Sequence, residues 1–215
     1  MKSMVFVSTG RCGTVRLSQV LGQYLPDSFF VAHQLPMSRL INMVGNLTYG
    51  WKTADRIRRQ CYRWLLADCP TDRYLVLTDP LSSMMIPDHW VYSNDVAIVH
   101  ITREPMAFGR SIYRLSRSRW KSWIGHIMVP FWQPGLLPME NLIRSDIIKR
   151  YAHIGKWKNE YFEGRYENNP NYRKLDMTEI FGTDTVSQLI DDFFGFEMTI
   201  PFSEWSVKAN SMSLT

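Results

Sequence analysis

The chain has 215 residues, 45% of them hydrophobic and 13% aromatic, which suits a single α/β domain spanning 1–215. Its net charge of +5 suits an anionic ligand but is too small to indicate a nucleic-acid-binding protein. The cysteines Cys12, Cys61 and Cys69 lack the number and spacing of a disulfide framework or a zinc site, so we expect a reduced, cytoplasmic protein without a metal. No apolar run has membrane-spanning length, and a strand predicted from residue 4 leaves no room for a signal peptide.

The first predicted element is a buried strand at 5–7, and a glycine-containing turn and a helix follow it. The turn contains Gly10 and Gly13, and from Thr14 the apolar residues recur on one helical face. A strand, a glycine turn and a helix aim backbone N–H groups at an anion, and the helix dipole adds about half a positive charge there. Arg11 and Arg16 bring two full positive charges. The stretch therefore predicts a phosphate site, with a ligand-free strand–turn–helix as the alternative.

The residues of this turn narrow the kind of phosphate site. A Walker A loop needs four residues between its first glycine and a Gly-Lys-Ser/Thr end, and here only Arg11 and Cys12 separate Gly10 from Gly13. The stretch resembles the 5′-phosphosulfate loop of sulfotransferases, in which a strand precedes Pro-Arg/Lys-Ser-Gly-Thr-Thr and a helix follows. Arg11, Gly13 and Thr14 match that pattern, whereas Cys12 replaces its serine and Val15 replaces its second threonine.

The next predicted strands are 28–32 and 73–78, separated by helices at 37–47 and 51–68. His33 follows the first of these strands and Asp79 follows the second. Continuous apolar strands that alternate with helices predict a parallel sheet covered on both faces, and such sheets bind ligands at the carboxyl ends of their strands. We therefore expect His33, Asp79 and the glycine turn to meet at one edge.

A further predicted strand, 95–102, runs into Arg103-Glu104-Pro105 and a helix that carries Ser111 and Tyr113. A guanidinium binds phosphate with two hydrogen bonds, and Ser111 lies two helical turns further along. This segment resembles the 3′-phosphate site of sulfotransferases, where an arginine ends a strand and a serine follows eight positions later. An arginine–proline helix start with a solvated serine is the alternative for this segment alone.

The remainder of the chain predicts a lid and three further regular elements. Residues 120–139 are rich in tryptophan, phenylalanine and proline, which favours a lid or a wall of the acceptor pocket, with core packing or an oligomer contact as the alternative. A helix at 139–164, a strand at 172–177 and a helix at 184–194 follow. The tail 205–215 carries Lys208 and Asn210, where the resembled family often covers its nucleotide.

The resemblance implies a three-layer α/β fold of the P-loop NTPase-like sulfotransferase kind. It also implies a 3′-phosphoadenosine-5′-phosphosulfate (PAPS) donor and a hydroxylated acceptor, which the aromatic segment 120–139 suggests is a small apolar or aromatic molecule. A homo-oligomer is left open. The implied donor-binding residues are Arg11, Cys12, Gly13, Thr14, Val15, Arg16, Arg103 and Ser111.

The candidate catalytic residues are Arg11, Asp79 and His33. Arg11 would stabilise the leaving phosphate. The resemblance places Asp79 at or beside the general base, although a free aspartate has a pKa of about 3.9 and needs burial to serve as one. His33 has the more suitable chemistry, because an unperturbed imidazole titrates near neutral pH. The choice between the two is left open.

Two rival functions remain as alternatives. One is a small-molecule or nucleotide kinase, for which this sequence lacks both Gly-Lys-Ser/Thr and a clear pair of magnesium-binding carboxylates. The other is a nucleotide-binding protein that has lost catalysis.

Overall fold

The computed structural model describes residues 1–48, 51–117 and 147–206. Its core is one five-stranded sheet in the order β2-β3-β1-β4-β5, and each neighbouring pair of strands is parallel. The elements are β1 (Ser3–Ser8), α1 (Thr14–Tyr24), β2 (Phe29–Ala32), α2 (Ser38–Leu47), α3 (Ala54–Leu65), β3 (Tyr74–Leu77), a 3-10 turn (Ser83–Met85), α4 (Asp88–Val91), β4 (Val96–Thr102), α5 (Pro105–Arg117), α6 (Ile147–Tyr166), β5 (Tyr172–Asp176), α7 (Met177–Gly182), α8 (Thr185–Phe194) and α9 (Phe202–Ser206).

The central strand β1 shows why helices cover both faces of the sheet. All six of its residues are buried, and successive side chains point to opposite faces. Met4 and Phe6 join an apolar cluster with α1 and α8, whereas Val5 and Val7 join a second cluster with α2, α3 and α6. A strand that is apolar on both faces is stable only when each face is covered. The predicted three-layer α/β architecture is therefore confirmed.

The strand order determines which strand ends lie side by side. β1 occupies the middle of the sheet, pairing with β3 on one side and with β4 on the other. Ala32 at the end of β2 is level with Leu77 at the end of β3, so the residues that follow them are neighbours. β5 lies beyond β4, where Thr102 is level with Asp176. The carboxyl ends thus run from β2 to β5 along one edge.

Two further expectations concern cysteines and membranes. Cys12, Cys61 and Cys69 are free and buried, as the sequence predicts. In the part of the chain that the structure describes, no helix is both long enough and apolar enough to cross a bilayer. The predicted lid at 120–139 and nearly all of the tail 205–215 lie outside the described residues.

Candidate functional site

The loop between β1 and α1 has an unusual backbone. Gly10, Arg11 and Gly13 all adopt positive φ angles, of 91°, 59° and 75°. Glycine tolerates this region, whereas an arginine there is strained. Gly13 is constrained further, because a Cβ at that position would overlap the ring of Phe181 on α7, with Cε2 at 2.5 Å. Cys12, between Arg11 and Gly13, does not have a positive φ, and right- and left-handed residues in succession are typical of concave loops whose N–H groups face an anion.

The side chain of Cys12 packs beneath this loop. Its side chain is fully buried in the cluster under α1, with the thiol 3.3 Å from the carbonyl oxygen of Gly10 and 3.9 Å from Thr9 Oγ1. Burial raises the pKa of the Cys12 thiol to about 11, so it stays protonated at neutral pH. Because this S–H donates to the carbonyl oxygen of Gly10 and the side chain is buried, Cys12 can offer a bound anion only its backbone N–H.

The N-terminus of α1 follows directly. Gly13 occupies the N-cap position, and no side chain caps the helix there. The first backbone N–H groups of a helix have no partner within the helix. Those of Thr14, which is buried, and of Val15, which is partly exposed, are therefore the donors that this turn can offer. Arg16 is occupied elsewhere, because its guanidinium binds the backbone and the carboxylate of Glu204 on α9, with Nη2 to Oε2 at 3.0 Å.

Arg11, Ser111 and Arg103 come together beside this helix end. Arg11 Nε donates to Ser111 Oγ at 3.2 Å, which joins the loop to α5. Arg103, just after β4, donates from Nη1 to the carbonyl oxygen of Arg11 at 2.5 Å. Its Nε is buried and has no hydrogen-bond partner among the described residues. The two sequence motifs that resemble a donor site are thus in direct contact.

The electrostatics of the two arginines favour an anion. Burial lowers the pKa of Arg11, and the adjacent positive charge of Arg103 lowers it further. Within residues 1–48, 51–117 and 147–206, neither arginine forms an ion pair with a carboxylate. Two partly buried cations beside an uncapped helix N-terminus form a site that a negatively charged group stabilises.

His33 lies at the other half of the edge, after β2. Its Nδ1 is 3.0 Å from the carbonyl oxygen of Thr78 and 3.2 Å from Thr78 Oγ1. A carbonyl oxygen only accepts hydrogen bonds, so Nδ1 carries the proton and Nε2 of the neutral ring has a free lone pair. Nε2 is buried, and no group in the described part of the chain forms a hydrogen bond with it. The geometry leaves His33 able to accept a proton at Nε2.

Asp79 is fully buried beside His33, after β3. Its Oδ1 accepts from the N–H of Leu81 at 2.9 Å, whereas Oδ2 has no partner of normal hydrogen-bond geometry. Burial raises the pKa of the carboxyl, and nearby Ser38, the Leu81 N–H and His33 oppose that shift. Ser38 Oγ, on the first residue of α2, is likewise buried without a partner, so Ser38 and Asp79 interact without a well-formed hydrogen bond.

Hydrogen bonds through Ser83 join the two halves. The N–H of Ser8, at the end of β1, donates to Ser83 Oγ at 3.2 Å, and that hydroxyl lies 3.4 Å from the carbonyl oxygen of Asp79. Neighbouring strands lie about 4.8 Å apart, so the ends of β2 and β4 are roughly 14 Å apart along the edge. That span leaves room for two reactants between His33 and Arg103.

The structure brings most of the predicted site residues to this edge. The turn, His33, Asp79 and Arg103 directly follow the carboxyl ends of strands, and Ser111 contacts Arg11 of the turn from α5. The sequence did not reveal Ser38, Thr78, Ser83, Phe181 or Glu204, because each acquires its contact only through the order of strands and helices. The described part of the chain contains no group of histidines, cysteines and carboxylates that could hold a metal ion.

Fold and site together define an α/β protein with two partly buried arginines at the β1–α1 loop and a half-buried histidine further along the same sheet edge. No protein-family model and no curated protein matches the chain. Among solved structures, the chain is similar to a sulfotransferase from Alicyclobacillus acidocaldarius, at 13% identity and a TM-score of 0.49, covering 97% of this chain and 86% of that one. It is also similar to a sulfotransferase domain from the curacin biosynthetic pathway, at 13% identity and a TM-score of 0.48, covering 93% and 75%. Neither likeness decides the function of this chain.

Proposed function

We propose that the protein is a sulfotransferase that uses PAPS to sulfate a hydroxyl of a small, apolar or aromatic acceptor. The observation that carries the proposal is the contact between Arg11, Arg103 and Ser111 at the uncapped start of α1. The sequence resemblance of these same segments to the donor site of sulfotransferases supports the choice of donor. The free, buried cysteines suit a cytoplasmic enzyme.

The donor carries a 5′-phosphosulfate and a 3′-phosphate, and the residues present fit both groups. We assign the 5′-phosphosulfate to Arg11 and to the N–H groups from Gly13 to Val15 at the start of α1. We assign the 3′-phosphate to Arg103 and Ser111. The partnerless Nε of Arg103 is a buried donor that a phosphate oxygen would satisfy. When bound, the donor supplies an activated sulfuryl group whose leaving oxygen belongs to a phosphate.

The protein's own groups can then promote transfer without a metal. His33 Nε2 takes the proton of the acceptor hydroxyl as its oxygen attacks sulfur. Asp79 favours the imidazolium that results, because its carboxylate lies close enough to interact with His33 electrostatically. Arg11 and the helix N-terminus stabilise the negative charge that grows on the leaving oxygen. We therefore assign the role of base to His33 and a supporting electrostatic role to Asp79.

Calorimetric titration with 3′-phosphoadenosine-5′-phosphate (PAP) in the absence of magnesium tests the donor site. A hydrogen bond to a charged group contributes about 1.5–3 kcal/mol, so we expect Arg103→Ala to weaken binding by roughly 10- to 150-fold. Arg110→Ala is the matched control, because Arg110 precedes Ser111 on α5 but forms only an exposed pair with Glu104. A preference for ATP with magnesium, or equal losses in both variants, would contradict the proposal.

Turnover of PAPS with a panel of phenols and aliphatic alcohols tests the base. We expect His33→Gln to lower kcat by about 10²- to 10⁴-fold while PAP binding is retained, because the variant loses proton transfer alone. Asp79→Asn should retain more activity than His33→Gln, since it removes only the supporting charge. The reverse order would move the role of base to Asp79. PAP binding without turnover in the unaltered protein would indicate a nucleotide-binding protein without catalysis.

A further inference from the structure

The helical hairpin of α2 and α3 has an outward apolar stripe that its packing does not require. Ile41 and Gly45 of α2 are buried towards the core. Leu40, Met43 and Leu47 recur at helical spacing on the outer side, and they are 44%, 52% and 55% exposed. Large apolar side chains aligned in this way on a surface mark an interaction site when the patch is contiguous.

Two exposed tryptophans belong to the same helical hairpin. Trp51, between the two helices, is 57% exposed, and Trp64 on α3 is 54% exposed. Trp64 also lines a groove of about 630 Å³ between α3 and Val44 of α2. Val44 lies within the same arc of α2 as Leu40 and Leu47 at 100° per residue, so groove and stripe adjoin. Tryptophan is enriched where apolar and aqueous phases meet, because its ring is apolar and its N–H is polar.

The charge around the stripe is strongly positive. Residues 38–65 contain six basic residues and one acidic residue, Asp55, which gives this segment a net charge as large as that of the whole chain. Arg58 is turned towards Asp88, and Arg59 pairs with Asp55. Arg56 and Arg63 line the groove, are exposed and form no ion pair with any described residue.

From these observations we propose that the α2–α3 surface docks onto an anionic lipid bilayer. The surface consists of Leu40, Met43, Leu47, Trp51 and Trp64, bordered by Arg39, Lys52, Arg56 and Arg63. Apolar side chains enter the headgroup boundary while arginines contact lipid phosphates, which is how amphipathic helices bind at membrane interfaces. A mixture of exposed leucine, methionine and tryptophan fits acyl chains, and an excess of basic over acidic groups fits anionic headgroups.

This docking is a peripheral association, independent of the proposed function. α2 begins at Ser38, five residues after His33, so docking would hold the β2 end of the sheet edge close to the lipid. An acceptor dissolved in the bilayer interface would then be concentrated near His33. The test below reads binding and not activity, so its result does not depend on the donor or the acceptor.

Co-sedimentation tests the proposal, with vesicles of phosphatidylcholine mixed with phosphatidylserine and with vesicles of pure phosphatidylcholine. We expect binding to the mixed vesicles, loss of that binding at high salt, and a blue shift of tryptophan fluorescence that decreases in Trp51→Phe/Trp64→Phe. Basic residues near an anionic surface contribute about fivefold each, so Arg56→Gln/Arg63→Gln should weaken binding roughly 25-fold. The triple variant Leu40→Ser/Met43→Ser/Leu47→Ser should weaken binding to both kinds of vesicle.

Matched variants keep the outcomes separate. Tyr92→Ser removes an equally exposed aromatic ring, 69% accessible, and Lys149→Gln removes an exposed charge on another helix; both should bind like the unaltered protein. Circular dichroism confirms that each variant is folded. No binding to mixed vesicles overturns the proposal, as does binding that the α2–α3 variants leave unchanged. A dimer in sedimentation analysis that the triple variant dissociates would also overturn it, because the surface would then hold a second copy of the chain.

Discussion

The close approach of Phe181 to Gly13 allows a sharp test of how the β1–α1 loop is held. Gly10 and Gly13 lie in the same loop and both have positive φ, so alanine is strained at either position. They differ in surroundings: a Cβ on Gly10 would meet nothing within 4 Å, whereas one on Gly13 would overlap the Phe181 ring. The comparison therefore separates backbone strain from steric overlap.

We expect Gly10→Ala to lower the free energy of unfolding by about 1–2 kcal/mol, which is the cost of a left-handed residue with a Cβ. Gly13→Ala should cost about 1–3 kcal/mol more, because inserting atoms into a packed site moves its neighbours. Phe181 is partly buried and packs against Trp205 with ring centroids 5.6 Å apart, so its displacement also disturbs the contact between α7 and α9.

Urea unfolding followed by circular dichroism measures these differences. Removing the ring in Phe181→Ala should relieve Gly13→Ala, so the double variant should be at least about 1 kcal/mol more stable than the sum of the two single effects predicts. The same second substitution should leave the cost of Gly10→Ala unchanged. Equal costs for the two glycine variants, or additive effects of Gly13→Ala and Phe181→Ala, would refute the steric explanation.

Two further predictions concern stability away from the loop. Burial lowers the pKa of His100 to about 4 from 6.5, so this imidazole is neutral in the fold and its contribution to stability is lost as pH falls from 6.5 to about 4. We expect that loss to reach about 3 kcal/mol at pH 4; urea titrations of His100→Gln should lack this part of the pH dependence, and parallel profiles would contradict the assignment. Asp176→Ala should destabilise by about 1 kcal/mol in thermal unfolding, because its Oδ1 accepts from the N–H of Thr178 at 2.8 Å as the cap of α7. Asp184→Ala is the control and should have little effect, since Asp184 holds the same position before α8 without a capping bond.

The sequence predicted the sheet well because four of its strands are largely apolar, β5 being the exception. Of the eight residues 95–102, only Asp95, His100 and Thr102 are polar. The strand forms at Val96–Thr102. Helix boundaries were less accurate: the helix predicted at 51–68 begins at Ala54 and ends at Leu65, because turns that begin and end a helix share its composition. The short helix α7 was missed, although Asp176 and Glu179 form a capping box.

The candidate site was predictable where it follows strand ends and unpredictable where it depends on packing. Gly13 could be identified from the loop pattern, but the ring that excludes a side chain there comes from Phe181, which is distant in sequence. Arg16 shows the converse. Its place in the first turn of α1 suggested a phosphate ligand, whereas in the structure it binds Glu204 on α9, a short helix that the sequence analysis did not predict.

The same packing argument bears on the base. Residue type alone could not choose between His33 and Asp79, and both prove to be near each other at the edge. Hydrogen bonding distinguishes them, because Thr78 fixes the proton of His33 on Nδ1 and leaves Nε2 free. That fact depends on the pairing of β2 with β3, which sets Ala32 level with Leu77. No pattern within either strand alone could have predicted the hydrogen bond between His33 and Thr78.

Arg11 combines two unfavourable features that its hydrogen bond to Ser111 does not require. A left-handed arginine costs about 1–2 kcal/mol that glycine would avoid, and Arg11 lies between glycines that adopt such angles freely. It is also placed beside Arg103, whose charge lowers its pKa. Strain and like-charge repulsion at one residue are typical of sites shaped for a ligand. In the proposed function, an anion between the two arginines would offset their repulsion and accept a hydrogen bond from Arg103 Nε.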